Sequence, residues 1–346
     1  MDEPEILFEQ RGRLGLITLN RPKALNALTW NMVKLMDAQL DAWAEDDSVA
    51  VVAIQGAGDK AFAAGGDIRW LYDTGQGGKT GERNFRFFWD EYRLNRKIKR
   101  YPKPYVAIMD GIVMGGGVGV SIHGSLRIAT ERTVFAMPET GIGLFPDVGG
   151  TYFLPRLPGQ IGMWLGLTGS RLKCLEAVGG GICDSHISSE DLDELIDDLG
   201  RNGETGSPLG VRFSFSHSDQ VAAKSEIDTY FHLGSIEAVL NSIKTSQCEW
   251  SVKQRKTILS KSPTSTRIAF RQIREGAKLD FEDCMRLEYR LARYCMTHPE
   301  FYEGVRAVIL DKDNAPQWSP ATLEEATDDF VAEAFAPLGP DELHFD

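Results

Sequence analysis

The sequence predicts an α/β protein with a mostly helical C-terminal third, and three observations carry that prediction. Two near-continuous apolar runs of strand length, VAVVAIQG (Val49 to Gly56) and PYVAIMDG (Pro104 to Gly111), are bounded by turn residues. Such runs fit strands buried on both faces, as in a parallel sheet. Two glycine turns, AFAAGGDI and MGGGVGVS, each lead into a helical stretch. From Ile227 onward the apolar spacing is helical almost to the end.

In chain order, Glu5 to Asn20 alternates as a hairpin, with Arg11-Gly12-Arg13 as its turn and LGLITLN as its second strand. The loop RPKALNALT follows and is closed by Thr29, a helix N-cap. Leu28 to Ala44 carries Met32, Leu35, Met36, Leu40 and Trp43 at helical spacing. The first buried strand and the first glycine turn come next, then a helical stretch over Arg83 to Lys99 that contains Glu91. The second buried strand leads through Gly115-Gly116-Gly117 into a helix and two short strands that end at Glu139, with Asp147 eight residues on. Apolar helical segments run from Gln160 to about Leu172, and a glycine cluster at Gly179 to Gly181 closes a compact region. Ser188 to Lys224 reads as a surface helix plus a long loop and is a candidate boundary. Ser262-Pro263-Thr264 starts one helix, Phe281 to Tyr294 forms another, and a terminal helix is expected over Ala321 to Phe335. The expected division is a core over 1–187 that carries the site and a mostly helical region over 188–346.

Composition narrows the function. The 346 residues allow a substantial core, and the net charge of −12 with no basic stripe disfavours nucleic acid. The same charge means that an anionic ligand must find local cations or backbone donors. The five cysteines (Cys174, Cys183, Cys248, Cys284, Cys295) are scattered, with no CxxC pair and no histidine at ligand spacing, so neither a metal site nor a disulfide framework is expected. With reduced thiols and an acidic, polar beginning unlike a signal or transit peptide, the expectation is a cytoplasmic protein. No run of about 18 apolar residues stands in the chain, so no membrane partner is expected.

The glycine turns carry the chemistry. Glycines at the mouth of a helix let the backbone approach a ligand closely, and the first-turn N–H groups have no intrahelical partners. If the turns at Gly66 and Gly116 meet in space, their amides can hold one thioester carbonyl oxygen as it becomes negative. Either turn alone would be read as a tight turn or a close packing contact. His123, past the second turn, is read as a packed histidine, since no Ser or Cys elbow accompanies it.

RPKALNAL, AFAAGGDI, MGGGVGVS and FAMPETGIGLFPDVGG, in this order and spacing, resemble the enoyl-CoA hydratase/isomerase (crotonase) superfamily. The likeness continues through FWDEYRLN, SPTSTRIAFRQIREG, MRLEYRLA and EGVRAVILDKDNAPQW, and is weakest over about Ser188 to Lys253. It implies a crotonase-like spiral of ββα units, a CoA thioester as the small-molecule substrate, and an oxyanion hole from the Gly66 and Gly116 amides. Lys23, Ala24 and Leu25, with Ala64, Gly65, Asp67 and Ile68, match family positions that contact CoA. Lys60 and Arg69 could add positive charge near its phosphates. Glu91, in FWDEYRLN, matches a position that contacts substrate. CoA arrives with the substrate, so no cofactor is expected. The superfamily often forms trimers, which leaves a homo-oligomer open.

One departure points to a branch of the superfamily. Hydratases resemble GGG-x-Glu at the second glycine turn, and here that residue is Gly119. A glycine cannot transfer a proton or hold a water, so hydration loses half its machinery. Glu139 matches the second hydratase glutamate, and Asp147 stands where the thioester hydrolases carry a carboxylate. The resemblance thus implies hydrolysis of a short 3-hydroxyacyl-CoA thioester, 3-hydroxyisobutyryl-CoA of valine degradation above all. Glu139 would attack the carbonyl to give a mixed anhydride or act as base on water, and both stay open. Asp147 would bind the acyl hydroxyl or position the water. The alternatives are an enoyl-CoA hydratase or isomerase using Glu139 alone, and a non-catalytic acyl-CoA-binding protein.

Overall fold

The computed structural model describes residues 3–75, 82–205, 220–246 and 248–345. Its strands are β1 (Ile6–Arg11), β2 (Leu14–Leu19), β3 (Val51–Gly56), β4 (Ala61–Ala63), β5 (Tyr105–Met109), β6 (Ile112–Met114), β7 (Leu126–Ala129), β8 (Val134–Ala136), β9 (Leu172–Lys173) and β10 (Ser185–His186). Its helices are α1 (Trp30–Glu45), α2 (Ile68–Gly75), α3 (Glu82–Lys99), α4 (Gly116–Gly119), α5 (Gly150–Phe153), α6 (Ile161–Thr168), α7 (Cys174–Gly179), α8 (Leu192–Asn202), α9 (Lys224–Phe231), α10 (Ile236–Thr245), α11 (Glu249–Leu259), α12 (Pro263–Gly276), α13 (Phe281–Thr297) and α14 (Pro299–Val305).

Two compact units interleave along the chain. The first comprises Met1–Asp67, Arg93–Ala136 and Arg171–Ala222, the second Ile68–Tyr92, Met137–Ser170 and Ala223–Asp346. The stretch expected to form a core over 1–187 therefore contributes to both units.

The first unit holds both sheets. One has the order β1-β2-β3-β5-β7-β10, the other β4-β6-β8-β9. β1 and β2 form the expected hairpin, pairing Ile6 with Leu19 and Arg11 with Leu14. From β2 onward the first sheet is parallel, with Leu14 opposite Val51, Val52 opposite Tyr105 and Val106 opposite Leu126. Each passage of the chain lays one strand in each sheet: β3 then β4, β5 then β6, β7 then β8. This is the ββα spiral. β5 is buried throughout and β3 over its first four residues, which is why their sequences are continuous rather than alternating. Leu14, Leu16, Val51, Ala53, Val106, Ile108, Leu126 and Ile128 pack with Leu195, Ile196 and Leu199 of α8. α1 is capped as expected, its Thr29 side chain accepting from the Met32 N–H at 3.1 Å. α4 is a single turn, because three of its four residues are glycine and the Ser121 hydroxyl donates back to the Gly117 carbonyl at 2.8 Å.

The second unit is helical, built on α6, which is buried along its whole length. Trp164 of α6 donates its indole N–H to Gln254 of α11 at 2.9 Å. α12 starts at Pro263 behind the N-cap Ser262, as the sequence requires. The weakly periodic stretch between α8 and α9 lies outside the described residues over 206–219.

The expected helix over Ala321 to Phe335 does not form; the segment is turns and a short 3-10 turn at Ala332–Phe335. The physical reason is Arg267, whose guanidinium donates to the Leu323 and Ala326 carbonyls, at 2.7 Å each. Those are carbonyls that a helix would have to give to its own N–H groups. Burial of Leu323, Ala326, Val331 and Phe335 then produces a helix-like spacing without a helix.

Candidate active site

In the first unit the chain locks the RPKALNAL loop to the first glycine turn. Leu25 and Asn26 are left-handed, at φ 50° and 56°, a conformation that asparagine tolerates better than most residues. Asn26, fully buried, accepts from the Arg21 N–H at 2.9 Å and donates to the Ala57 and Ala61 carbonyls at 3.0 and 2.8 Å. The Ala64 N–H donates to Leu25 at 2.9 Å. Arg21 reaches Asp67 at 3.1 Å and the Ala27 carbonyl at 2.6 Å. The structure thus gathers Lys23, Ala24, Leu25, Ala64, Gly65 and Asp67. Asp67 is tied to a cation, so its charge is offset locally, and Lys23 is exposed.

The same unit sets both glycine turns on one edge of a sheet. Ala63 pairs with Val113 in the parallel β4 and β6. Gly66 and Gly116 each follow by three residues, so both turns leave the C-terminal ends of adjacent strands. They abut: a Cβ on Gly117 would lie 2.3 Å from the Ala63 carbonyl oxygen. Gly66 bridges Leu28 through its neighbours, the Leu28 N–H donating to Gly65 and the Asp67 N–H to Leu28. In a parallel bridge that leaves the Gly66 N–H directed away from Leu28. Gly115, at φ 47°, accepts from Val118, and the Gly116 N–H belongs to the first turn, which has no intrahelical acceptors. Gly119 is buried in α4 and offers no side chain.

The second unit collects the carboxylates. Glu139 opens a 3-10 turn three residues past β8 and is 4 % exposed. Burial holds the ammonium of the half-buried Lys261 below its usual range, and the nearby Glu139 charge offsets part of that. Asp147, also 4 % exposed, accepts from the Tyr92 hydroxyl at 3.0 Å. Glu91, beside Tyr92 on α3, is 2 % exposed, and its Oε1 is buried without a hydrogen-bond partner. Glu288 of α13, fully buried, accepts from the Gly149 and Thr151 N–H groups at 2.8 Å each.

Electrostatics follow from this crowding. Burial pushes the Asp147 carboxyl up to about 7, partly offset by the Tyr92 hydroxyl. Burial pushes Glu288 up to about 8, the two amides pulling the other way and Asp147 adding to the rise. Glu91 goes well above the usual carboxylate range, first by burial, then through the Asp147 and Glu288 charges. Three acids thus share a dry environment in which they do not all ionise at once.

Sequence reasoning singled out Glu91, Glu139 and Asp147, and the structure buries all three in one unit. It passed over Glu288, although MRLEYRLA was in view. A glutamate on the buried side of a helix, flanked by Met285, Leu287 and Leu291, was the signal, because a buried acid demands partners. Tyr92 and Lys261 were likewise missed, since only the fold shows what they face.

The profile of the enoyl-CoA hydratase/isomerase family matches residues 14–335, and the chain belongs to that family. Among curated proteins it is 46 % identical over 345 residues to the mitochondrial 3-hydroxyisobutyryl-CoA hydrolase of Danio rerio, covering 96 % of this chain and 90 % of that protein. To the Homo sapiens mitochondrial enzyme of the same name it is 42 % identical, covering 99 % and 91 %. Among solved structures it superposes on an enoyl-CoA hydratase from Rhodobacter sphaeroides with a TM-score of 0.92 at 37 % identity, covering 99 % of this chain and all of that one. A carnitinyl-CoA dehydratase from Mycobacterium thermoresistibile gives 0.89 at 39 % identity, with 99 % of each chain covered. The chain is an α/β enzyme of the crotonase fold. The relatives named mitochondrial overturn the cytoplasmic expectation. Reduced cysteines and a soluble composition suit either compartment, so they carried no information about address.

Proposed function

We propose that this protein hydrolyses a short 3-hydroxyacyl-CoA thioester, 3-hydroxyisobutyryl-CoA in the first place, to the free acid and CoA. The observation that carries the reading is the buried, unpartnered Oε1 of Glu91 in the same acidic cluster as Asp147. A buried carboxyl oxygen without a protein partner can hydrogen-bond a substrate hydroxyl. An attacking water can hydrogen-bond there too, and the choice of hydrolysis over hydration rests on the missing acid at 119. The names of the curated relatives, and the glycine at 119, support the same reading.

In this mechanism the Gly66 and Gly116 amides hold the carbonyl oxygen as it takes up negative charge, an effect worth about 2.7–4 kcal/mol per donor. Glu139 either attacks the carbonyl carbon, to form an anhydride that water then opens, or removes a proton from the attacking water. In both routes the C–S bond breaks, a C–O bond forms, and the departing thiolate takes a proton. Asp147 and Glu91 bind the hydroxyl or steer the water. The backbone of Lys23 to Leu25 and of Ala64 to Ile68 holds the CoA portion, so the chemistry needs no resident cofactor.

Free-thiol release from 3-hydroxyisobutyryl-CoA tests the proposal. Turnover of that ester, with crotonyl-CoA left unchanged, is the expected result. Loss of enoyl absorbance from crotonyl-CoA without thiol release would favour hydration through Glu139 alone, a reading kept in view by the solved relative titled enoyl-CoA hydratase.

A further inference from the structure

The loop that carries Asp147 is held in an unfavourable shape. Val148 has φ 50°, a left-handed conformation rare for a β-branched residue, and Gly149 follows at φ 94°. Two side chains from distant helices brace it. Gln272 of α12 donates to the Pro146 carbonyl at 2.6 Å and to the Thr151 hydroxyl at 3.3 Å. Glu288 spends both carboxylate oxygens on the loop, Oε2 on the Gly149 N–H and Oε1 on the Thr151 N–H. Gly149 caps α5 without a side chain of its own, so those two amides would otherwise be buried donors.

We propose that Glu288 is the positioning residue for Asp147: its grip on the Gly149 and Thr151 amides keeps residues 148 and 149 left-handed and thereby holds the Asp147 carboxyl on the Tyr92 hydroxyl. A fully buried carboxyl is costly when hydrogen bonding is its only purpose, because a neutral polar side chain can often serve. Here an amide side chain cannot, because a carboxyl keeps a lone pair on each oxygen whether or not it holds its proton. The two amides are both donors, and glutamine offers one acceptor and one donor, so Glu288→Gln leaves one amide facing an NH2 group. Aspartate keeps both acceptors but falls one methylene short. The inference rests on the role given to Asp147 above.

The test compares Glu288→Gln, Glu288→Asp and Asp147→Asn on two esters, 3-hydroxyisobutyryl-CoA and isobutyryl-CoA, which lacks the hydroxyl. Glu288→Gln is expected to reduce the kcat/KM preference for the hydroxylated ester at least tenfold, as Asp147→Asn does, with Glu288→Asp between it and the wild type. The Glu288→Gln, Asp147→Asn double variant should then discriminate no worse than Asp147→Asn alone. A brace that served only folding would lower Tm and depress both esters equally; that result overturns the proposal. If Asp147→Asn leaves the preference unchanged, the role of Asp147 fails, and Glu288 is judged on coordinates. A crystal structure of Glu288→Gln with Val148 still left-handed and Asp147 still on Tyr92 then overturns it independently. Should Glu288→Gln not fold, the same two readouts on Glu288→Asp decide.

Discussion

Gly117→Ala is a one-atom test of the oxyanion donors. No positive φ stands at Gly117, so alanine is compatible with its backbone, and the penalty is steric alone. The new Cβ would meet the Ala63 carbonyl oxygen at 2.3 Å and the Ala63 Cβ at 2.8 Å. Cβ atoms essentially never approach closer than 3.0 Å, so the two turns must part by at least 0.7 Å. No flexible side chain can absorb this. The contact is with the backbone of a fully buried strand residue, itself paired with Val113 in the next strand. Gly66 lies three residues beyond Ala63, and Gly116 immediately precedes the substituted position. A displacement of this size separates two amides that must converge on one oxygen. Misplacement by about 1 Å costs about 10²-fold, and loss of one donor altogether about 10²–10³-fold. The expectation is a fall of about 10²-fold in kcat for thiol release from 3-hydroxyisobutyryl-CoA, equivalent to about 2.7 kcal/mol of barrier. KM should change much less. A folded Gly117→Ala enzyme with kcat within threefold of the wild type would refute the claim that these turns bind the transition state.

Three further outcomes are expected. Glu139→Gln should lower kcat by about 10²-fold or more while calorimetry still detects CoA binding, because the backbone donors stay in place; undiminished turnover would remove Glu139 from the chemistry. Asn26→Ala strips a buried side chain from the Ala57 and Ala61 carbonyls and the Arg21 N–H. It should destabilise the protein by about 2–4 kcal/mol in urea titration and raise KM more than it lowers kcat; an unchanged KM would detach this loop from CoA. Burial raises Asp147 from a usual value near ~4 to about 7, so the folded state holds a proton that the unfolded chain releases. Stability from this group is present below pH ~4 and lost as the pH rises through about 7. Asp147→Asn should therefore gain stability relative to the wild type between pH 5 and 8, and a falling difference would contradict the sign.

Much of the fold was legible because it rests on local rules. Thr29 and Ser262 cap their helices as hydroxyls at those positions should, and the first four residues of β3 and all of β5 are apolar because both faces are covered. The helix expected over Ala321 to Phe335 failed for a reason that no local rule contains: a guanidinium more than fifty residues away takes its carbonyls. Of the site, the glycine turns and Glu139 stood out by motif, and Asp147 by the resemblance to the thioester hydrolases. Glu288 acts on Gly149 across 139 residues of chain, so its meaning was invisible along the sequence.

The amino-acid sequence by itself determined the strands, the capped helices, the glycines whose freedom the turns require, and membership of the family, since each depends on neighbours in the chain or on ordered motifs. Tertiary structure alone decided which buried acids share one dry space, which backbone amides Glu288 satisfies, and that Gly66 and Gly116 leave the same edge of a sheet. The physical reason is that desolvation and hydrogen-bond pairing depend on distance in space, and chain separation does not set that distance.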